Sequence, residues 1–193
     1  MTKSVVKFLI PSIALVLILT ISSFVNVDSE LIDRSKVEGE TTVKWMTFEE
    51  AVEKNKTDPK KIFIDVYTNW CGWCKKMDAG TFNHPQIAAY LNEKYHPVKL
   101  NAEQKEEIEF NDHTFKFIPS GKRGIHELAY SLLNGKLSYP TVVFMDEQFR
   151  IISPVPGYLK PVIFDKIIKY YGEDNHKKIP WEKFNEEYVS SIE

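Results

Sequence analysis

The chain has two cysteines among its 193 residues, and only Gly72 and Trp73 separate them, in the run Trp70-Cys71-Gly72-Trp73-Cys74. Thiols at this spacing can close a disulfide, supply half of a metal site, or pass electron pairs by thiol–disulfide exchange. A purely structural bridge is a poor use of so short a loop, which removes little entropy from the unfolded chain, and a domain of this size does not need one. Zinc would need two further ligands, and His84, His96, His113, His126 and His176 show no paired metal spacing. No metal or other cofactor is expected beyond a redox-active Cys71–Cys74 disulfide. Exchange chemistry explains the placement, because the pair stands where an apolar strand pattern ends and a helical one begins. The unpaired N–H groups and macrodipole of a helix N-terminus favour an anion, so Cys71 is expected to be the acidic, attacking thiol. Cys74, one turn further in, is expected to be more buried and to attack the mixed disulfide formed on Cys71.

Asp65 lies inside the apolar run 62–67, IFIDVY, and a carboxylate there is costly unless it is paired or protonated. Lys99, in the apolar run 96–100, is its natural partner; the competing arrangement has Asp65 at a sheet edge and Lys99 snorkelling to water. A buried carboxyl below the dithiol would accept the proton of Cys74 as it attacks and return it in the next half-cycle. Pro140 precedes the apolar run 142–145. It is either a plain strand start or a cis residue that turns Tyr139 back toward the cysteines, where its backbone would pair with an extended substrate. Trp70 and Trp73, around Gly72, either pack in the core or supply apolar contact surface beside the sulfurs.

The elements that must hold these residues can be read from pattern. Residues 43–46 suit a first edge strand. Thr47 and Glu50 form a capping box for a helix reaching about Asn55. The run 62–67 is apolar at consecutive positions and belongs mid-sheet. A helix from Cys71 is expected to break at Gly80, after which Asn83 caps a second stretch with Pro85 in its first turn. A strand over 96–100 then makes a parallel pair with 62–67 through the helical crossover. Ile108, Phe110, Phe115 and Phe117 alternate around Asn111-Asp112, which suits a small hairpin. A helix over 125–133, a strand over 142–145, an antiparallel strand over 150–155 and a closing helix follow. That last helix would bury Val162, Ile163, Ile167 and Ile168, and the tail would add a short helix over 181–189.

The N-terminus carries a different message. Lys3 and Lys7 precede residues 8–27, which hold no charge, and Asp28, Glu30 and Asp33 follow. This is the pattern of an export signal or a membrane anchor, with the remainder on the far, extracytoplasmic side. The expected organisation is therefore a signal or anchor over 1–29, a polar linker over 30–42, one α/β domain over 43–173 with an insertion near 104–124, and a helical tail over 174–193. Lys and Arg total 25 against 27 Asp and Glu, a formal charge of −2, so nothing points to nucleic acid or an anionic surface.

Taken together, WCGWCKKMD followed by TFNHPQIAAYLNEKY resembles the thioredoxin superfamily, especially bacterial exported thioredoxin-like proteins. Asp65 stands six residues before Cys71, as the buried acid does in thioredoxins; Trp70 precedes the first cysteine, Lys99 lies in VKLN, and Tyr139-Pro140-Thr141 matches the cis-proline loop. The resemblance implies a mixed central sheet flanked by helices, with protein thiols and disulfides as partners. Periplasmic or membrane-tethered location and a membrane electron donor are expected, with reduction favoured over oxidation or isomerisation. The alternative is a thioredoxin-fold module that holds a client without redox turnover. Gly-Trp between the cysteines and Tyr139 before the proline depart from cytosolic thioredoxins.

Overall fold

The computed structural model describes residues 42–192; the apolar run 8–27 and nearly all of the linker lie outside them. Among the described residues no helix is long and apolar enough to cross a membrane.

The chain enters helix α1 (Phe48–Asn55) through the expected capping box, Thr47 and Glu50 each satisfying the other's backbone N–H. Strand β1 (Lys61–Tyr67) is buried over its first six residues, as a strand covered on both faces must be. Helix α2 (Gly72–Met77) runs into a π-helical turn (Asp78–Phe82), then α3 (Pro85–Lys94) and β2 (Tyr95–Asn101). Two hairpins come next, β3 (Ile108–Phe110) with β4 (His113–Phe115), and β5 (Phe117–Ser120) with β6 (Arg123–His126). Helix α4 (Glu127–Leu132), the antiparallel pair β7 (Thr141–Met145) and β8 (Ile151–Pro156), helix α5 (Pro161–Gly172), a 3₁₀ turn (Asn175–Lys177) and α6 (Trp181–Glu187) complete the order.

The main sheet has the order β2-β1-β7-β8, with β1 and β2 parallel and the other pairs antiparallel. One core joins Ile62, Ile64, Val66, Val98 and Leu100 to α1 and α4; the other joins Phe63 and Phe144 to Met77, Phe82, Leu91, Phe164 and Ile168. Since side chains alternate along a strand, Asp65 shares the face of Phe63, and Lys99, between Val98 and Leu100, shares it too.

Several expectations are corrected. Residues 43–46 form no strand: Met46 makes a single bridge to β2, and the backbone just before it is drawn to Asn92, whose side chain accepts the Lys44 N–H and donates to the Thr42 carbonyl. Gly80 does not end the helix, because the wider π turn carries the chain past it and turns Thr81 and Phe82 inward. His84 rather than Asn83 caps α3, with Pro85 first in the helix as expected. Ile125 belongs to β6, and α4 starts after His126, whose ring accepts the Leu128 N–H. On α5 the buried position near the N-terminus is Phe164, while Val162 is exposed. The tail helix stops at Glu187, two residues before the exposed Val189.

Candidate functional site

Strand β1 runs out at Tyr67 and β7 begins at Thr141; Val66 and Thr141 are paired in antiparallel register. The segments that follow β1 and precede β7 therefore emerge at the same end of the sheet. The first carries Trp70 to Cys74, the second Tyr139 and Pro140.

Cys71 and Cys74 are joined by a disulfide, and both residues are buried. Cys71 caps α2: its backbone is extended, and its Sγ accepts the Cys74 N–H at 3.0 Å. The Cys71 N–H in turn donates to the Thr68 carbonyl, which fixes the loop leading in from β1. Between the cysteines Gly72 is open to solvent and Trp73 is 56 % exposed; Trp70 is 51 % exposed. The core-packing alternative for the two tryptophans thus does not hold. Trp73 leans on Tyr158 with Lys76 over both rings, and Trp70 meets Tyr139 edge to face at 5.9 Å.

The Tyr139–Pro140 peptide is cis. Two contacts secure the loop, the Thr141 hydroxyl donating to the Ser138 carbonyl and the Gly157 N–H donating to the Pro140 carbonyl. Gly157 sits at φ +97°, a conformation that L side chains rarely adopt.

Asp65 is 1 % exposed, opposite Lys99 in the parallel register of β1 and β2. The Lys99 ammonium lies 2.8 Å from Asp65 Oδ2 as an ion pair, and neither carboxylate oxygen has a partner in hydrogen-bond geometry among the described residues. Burial raises the Asp65 pKa to about 6; Lys99 works against that shift and Asp78 adds to it. Asp78 also holds Lys99, which therefore bridges a buried carboxyl and a half-exposed one, among the rings of Trp45, Tyr67 and Phe82. Burial disfavours the Lys99 charge, but the two carboxylates outweigh it and raise its pKa. Asp78, four residues after Cys74 and first in the π-helical turn, has nothing in the sequence to mark it.

A second unanticipated group surrounds Trp70. Its indole N–H donates to Glu103 Oε1 at 3.0 Å, and the Arg123 guanidinium lies over the ring at 4.3 Å. These residues and the β5–β6 hairpin line an open cavity of about 700 Å³ beside Tyr139. No group of three or more His, Cys, Asp or Glu side chains among the described residues is placed to hold a metal ion.

The chain resembles solved structures at low identity. A thioredoxin-fold protein from Helicobacter pylori is 15 % identical, with 80 % of this chain and 92 % of that one covered and a TM-score of 0.52. A thioredoxin from Thermus thermophilus is 14 % identical, with 77 % and 99 % covered and a TM-score of 0.50. The rat protein "Spermatogenesis-associated protein 20" is 31 % identical over 68 residues, which are 35 % of this chain and 9 % of that protein. The chain thus spans about a tenth of the length of that relative. Residues 34–152 match the family described as "Thioredox_DsbH: Protein of unknown function, DUF255". With a thioredoxin fold and the Cys71–Cys74 pair at its helix cap, the chain belongs to this family of the thioredoxin superfamily.

Proposed function

We propose that the chain is a thiol–disulfide oxidoreductase that reduces protein disulfides outside the cytoplasm. The observation that carries the reading is Cys71 at the cap of α2 with the Cys74 N–H on its sulfur. A sulfur already accepting a backbone N–H at a helix start is better stabilised as thiolate than as thiol, because a charged acceptor strengthens the hydrogen bond.

In the reduced protein the Cys71 thiolate attacks a client disulfide, forming a Cys71–client bond and expelling one client thiolate. The Asp65 carboxylate takes the Cys74 proton as Cys74 attacks the Cys71 sulfur. The Cys71–Cys74 disulfide forms, the second client thiolate leaves, and two electrons have passed to the client. A dithiol donor, for which a membrane protein is the natural class, returns two electrons, and Asp65 returns the proton to Cys74. Asp65, with its pKa near 6, can hold or release that proton at neutral pH. Lys99 positions Asp65. Trp70, Gly72, Trp73, Tyr139 and Pro140 are the surface a client strand would meet, the Tyr139 backbone pairing with it. The location rests on residues 8–27, uncharged between Lys3 and Lys7 before and Asp28, Glu30 and Asp33 after.

The test is turnover of insulin disulfides by the full chain with dithiothreitol as donor. Wild type reduces insulin, Cys71→Ser does not, and Cys74→Ser accumulates a mixed disulfide with the client. Client binding without any turnover by the wild type would replace this reading with a binding module whose cysteines are incidental. Activity of a C-terminal reporter that works only outside the cytoplasm checks the location.

A further inference from the structure

Among the described residues, eight large apolar side chains are strongly exposed, and four of them, Trp70, Ile118, Tyr130 and Leu137, line the same cavity. Scattered single residues of this kind are ordinary; a cluster around a concavity marks a binding surface. The cavity has two walls. One is Trp70, which precedes Cys71, with Tyr139, which precedes Pro140. The other is the β5–β6 hairpin, which contributes Ile118 and Ile125.

The charges at this site are already engaged. Glu103 accepts the Trp70 indole N–H and Arg123 covers the Trp70 ring, so one negative and one positive group are spent in fixing the indole. They leave no net field to select an anion or a cation. What is left to contact is mainly apolar, from Ile118, Ile125, Tyr130, Leu137 and Tyr139, and it continues directly onto Trp70 beside the disulfide.

We propose that the β5–β6 hairpin makes a specificity pocket for an extended client segment, which places a bulky apolar side chain in the cavity while its cysteine meets Cys71. This deepens the oxidoreductase reading and rests on it for the role of the bound segment. The segment would be one that folded proteins bury, so an unfolded or misfolded chain is the client class. Burial of one leucine or phenylalanine is expected to tighten binding about ten- to a hundredfold.

The test is binding rather than turnover, so that it stands apart from the redox reading. Isothermal titration of the oxidised full chain uses a matched pair of peptides in which serine replaces the cysteine, one with leucine and one with serine three residues away. The leucine peptide is expected to bind at least tenfold more tightly, and Ile118→Asp to remove that preference. Circular dichroism would confirm that the variant is folded, and Leu137→Ser, which changes a lining residue outside the hairpin, should reduce the preference in the same direction. Equal binding of the two peptides, no binding of either, or a preference untouched by both substitutions would overturn the pocket. So would self-association of the full chain through this face, seen as a dimer in sedimentation that Ile118→Asp dissociates. Insulin turnover measured in parallel reports on the redox reading by itself.

Discussion

Asp65 and Lys99 lie on the sheet face that packs against α2, α3 and α5, whereas the inner residues of the Trp70 cavity, Ile125 and Tyr139, pack against the core of the other face. On the first side two carboxylates share one ammonium among aromatic rings, in a setting dry enough to lift a carboxyl pKa to about 6. On the second side an open apolar surface uses Glu103 and Arg123 to hold an indole. A proton store needs exclusion of water and a fixed counter-charge. A client surface needs exposed apolar area and no strong charge preference. The proposed chemistry would draw on both, because the end of β1 and the start of β7 bring the cysteines and the Tyr139–Pro140 loop to one end of the sheet.

Asp65→Asn should have the largest effect. If Asp65 is the base for Cys74, the resolving step slows about a hundredfold above pH 6, the usual order for loss of a general base. Stopped-flow reduction of a disulfide peptide reads this, and an unchanged rate would remove Asp65 from the mechanism. The same variant should be more stable than wild type at alkaline pH. The folded-state pKa lies above the unfolded one, 3.8 against about 6, so the folded protein holds more protons between those values and loses stability as pH rises through them. Above about pH 6 the full cost applies, about 3 kcal/mol, and an amide avoids it. Urea midpoints for the two proteins should therefore coincide at pH 3.5 and diverge by pH 8.

Gly124→Ala attacks the other side. A methyl there would collide with the Phe117 ring and come within 2.5 Å of the Ile118 carbonyl, so the hairpin must open. A loss of about 1–3 kcal/mol is expected, confined to β5 and β6. Hydrogen exchange should quicken there and not in β1, and apolar-peptide preference should fall with it. Uniformly faster exchange would mean that the hairpin supports the core rather than the client surface.

Lys99→Met should cost about 1–2 kcal/mol at pH 7. That is below the roughly 3–5 kcal/mol for breaking a buried pair, since Asp65 can take up a proton. The pH dependence of the resolving step should move upward, because the cation that lowers the Asp65 pKa is gone. Asp78→Asn should do the reverse by a smaller amount, since it removes the carboxylate that raises that pKa. Opposite shifts from the two variants would sharpen the assignment, and shifts in the same direction would contradict it.

Much of the first side was legible in the sequence, and little of the second. Asp65 and Lys99 stand out because a charge inside an apolar run violates the strand pattern, and the capping box and β1 to β2 crossover are signalled by local residues. Trp70, Cys71, Cys74 and Pro140 are close in sequence to the strand ends that place them. The cavity instead depends on how β5–β6 returns over Trp70. In the sequence Phe117 continues the alternation of the first hairpin and Ile125 fits a helical pattern, because a run of 3- and 4-residue strands is too short to show a period. Glu103 and Arg123 join Trp70 from separate segments, and no spacing rule connects them. Asp78 was missed because a charge on an outward helical position is ordinary; only its shared ammonium gives it a role.

Cys71 and Cys74 should form a working redox couple, which equilibrium titration of the full chain in dithiothreitol and glutathione buffers measures, following the disulfide by alkylation. A reversible two-electron transition near the thioredoxin range, roughly −270 mV, is expected. A potential near roughly −120 mV would reverse the proposed direction of electron flow, and a pair that does not cycle would contradict the claim itself.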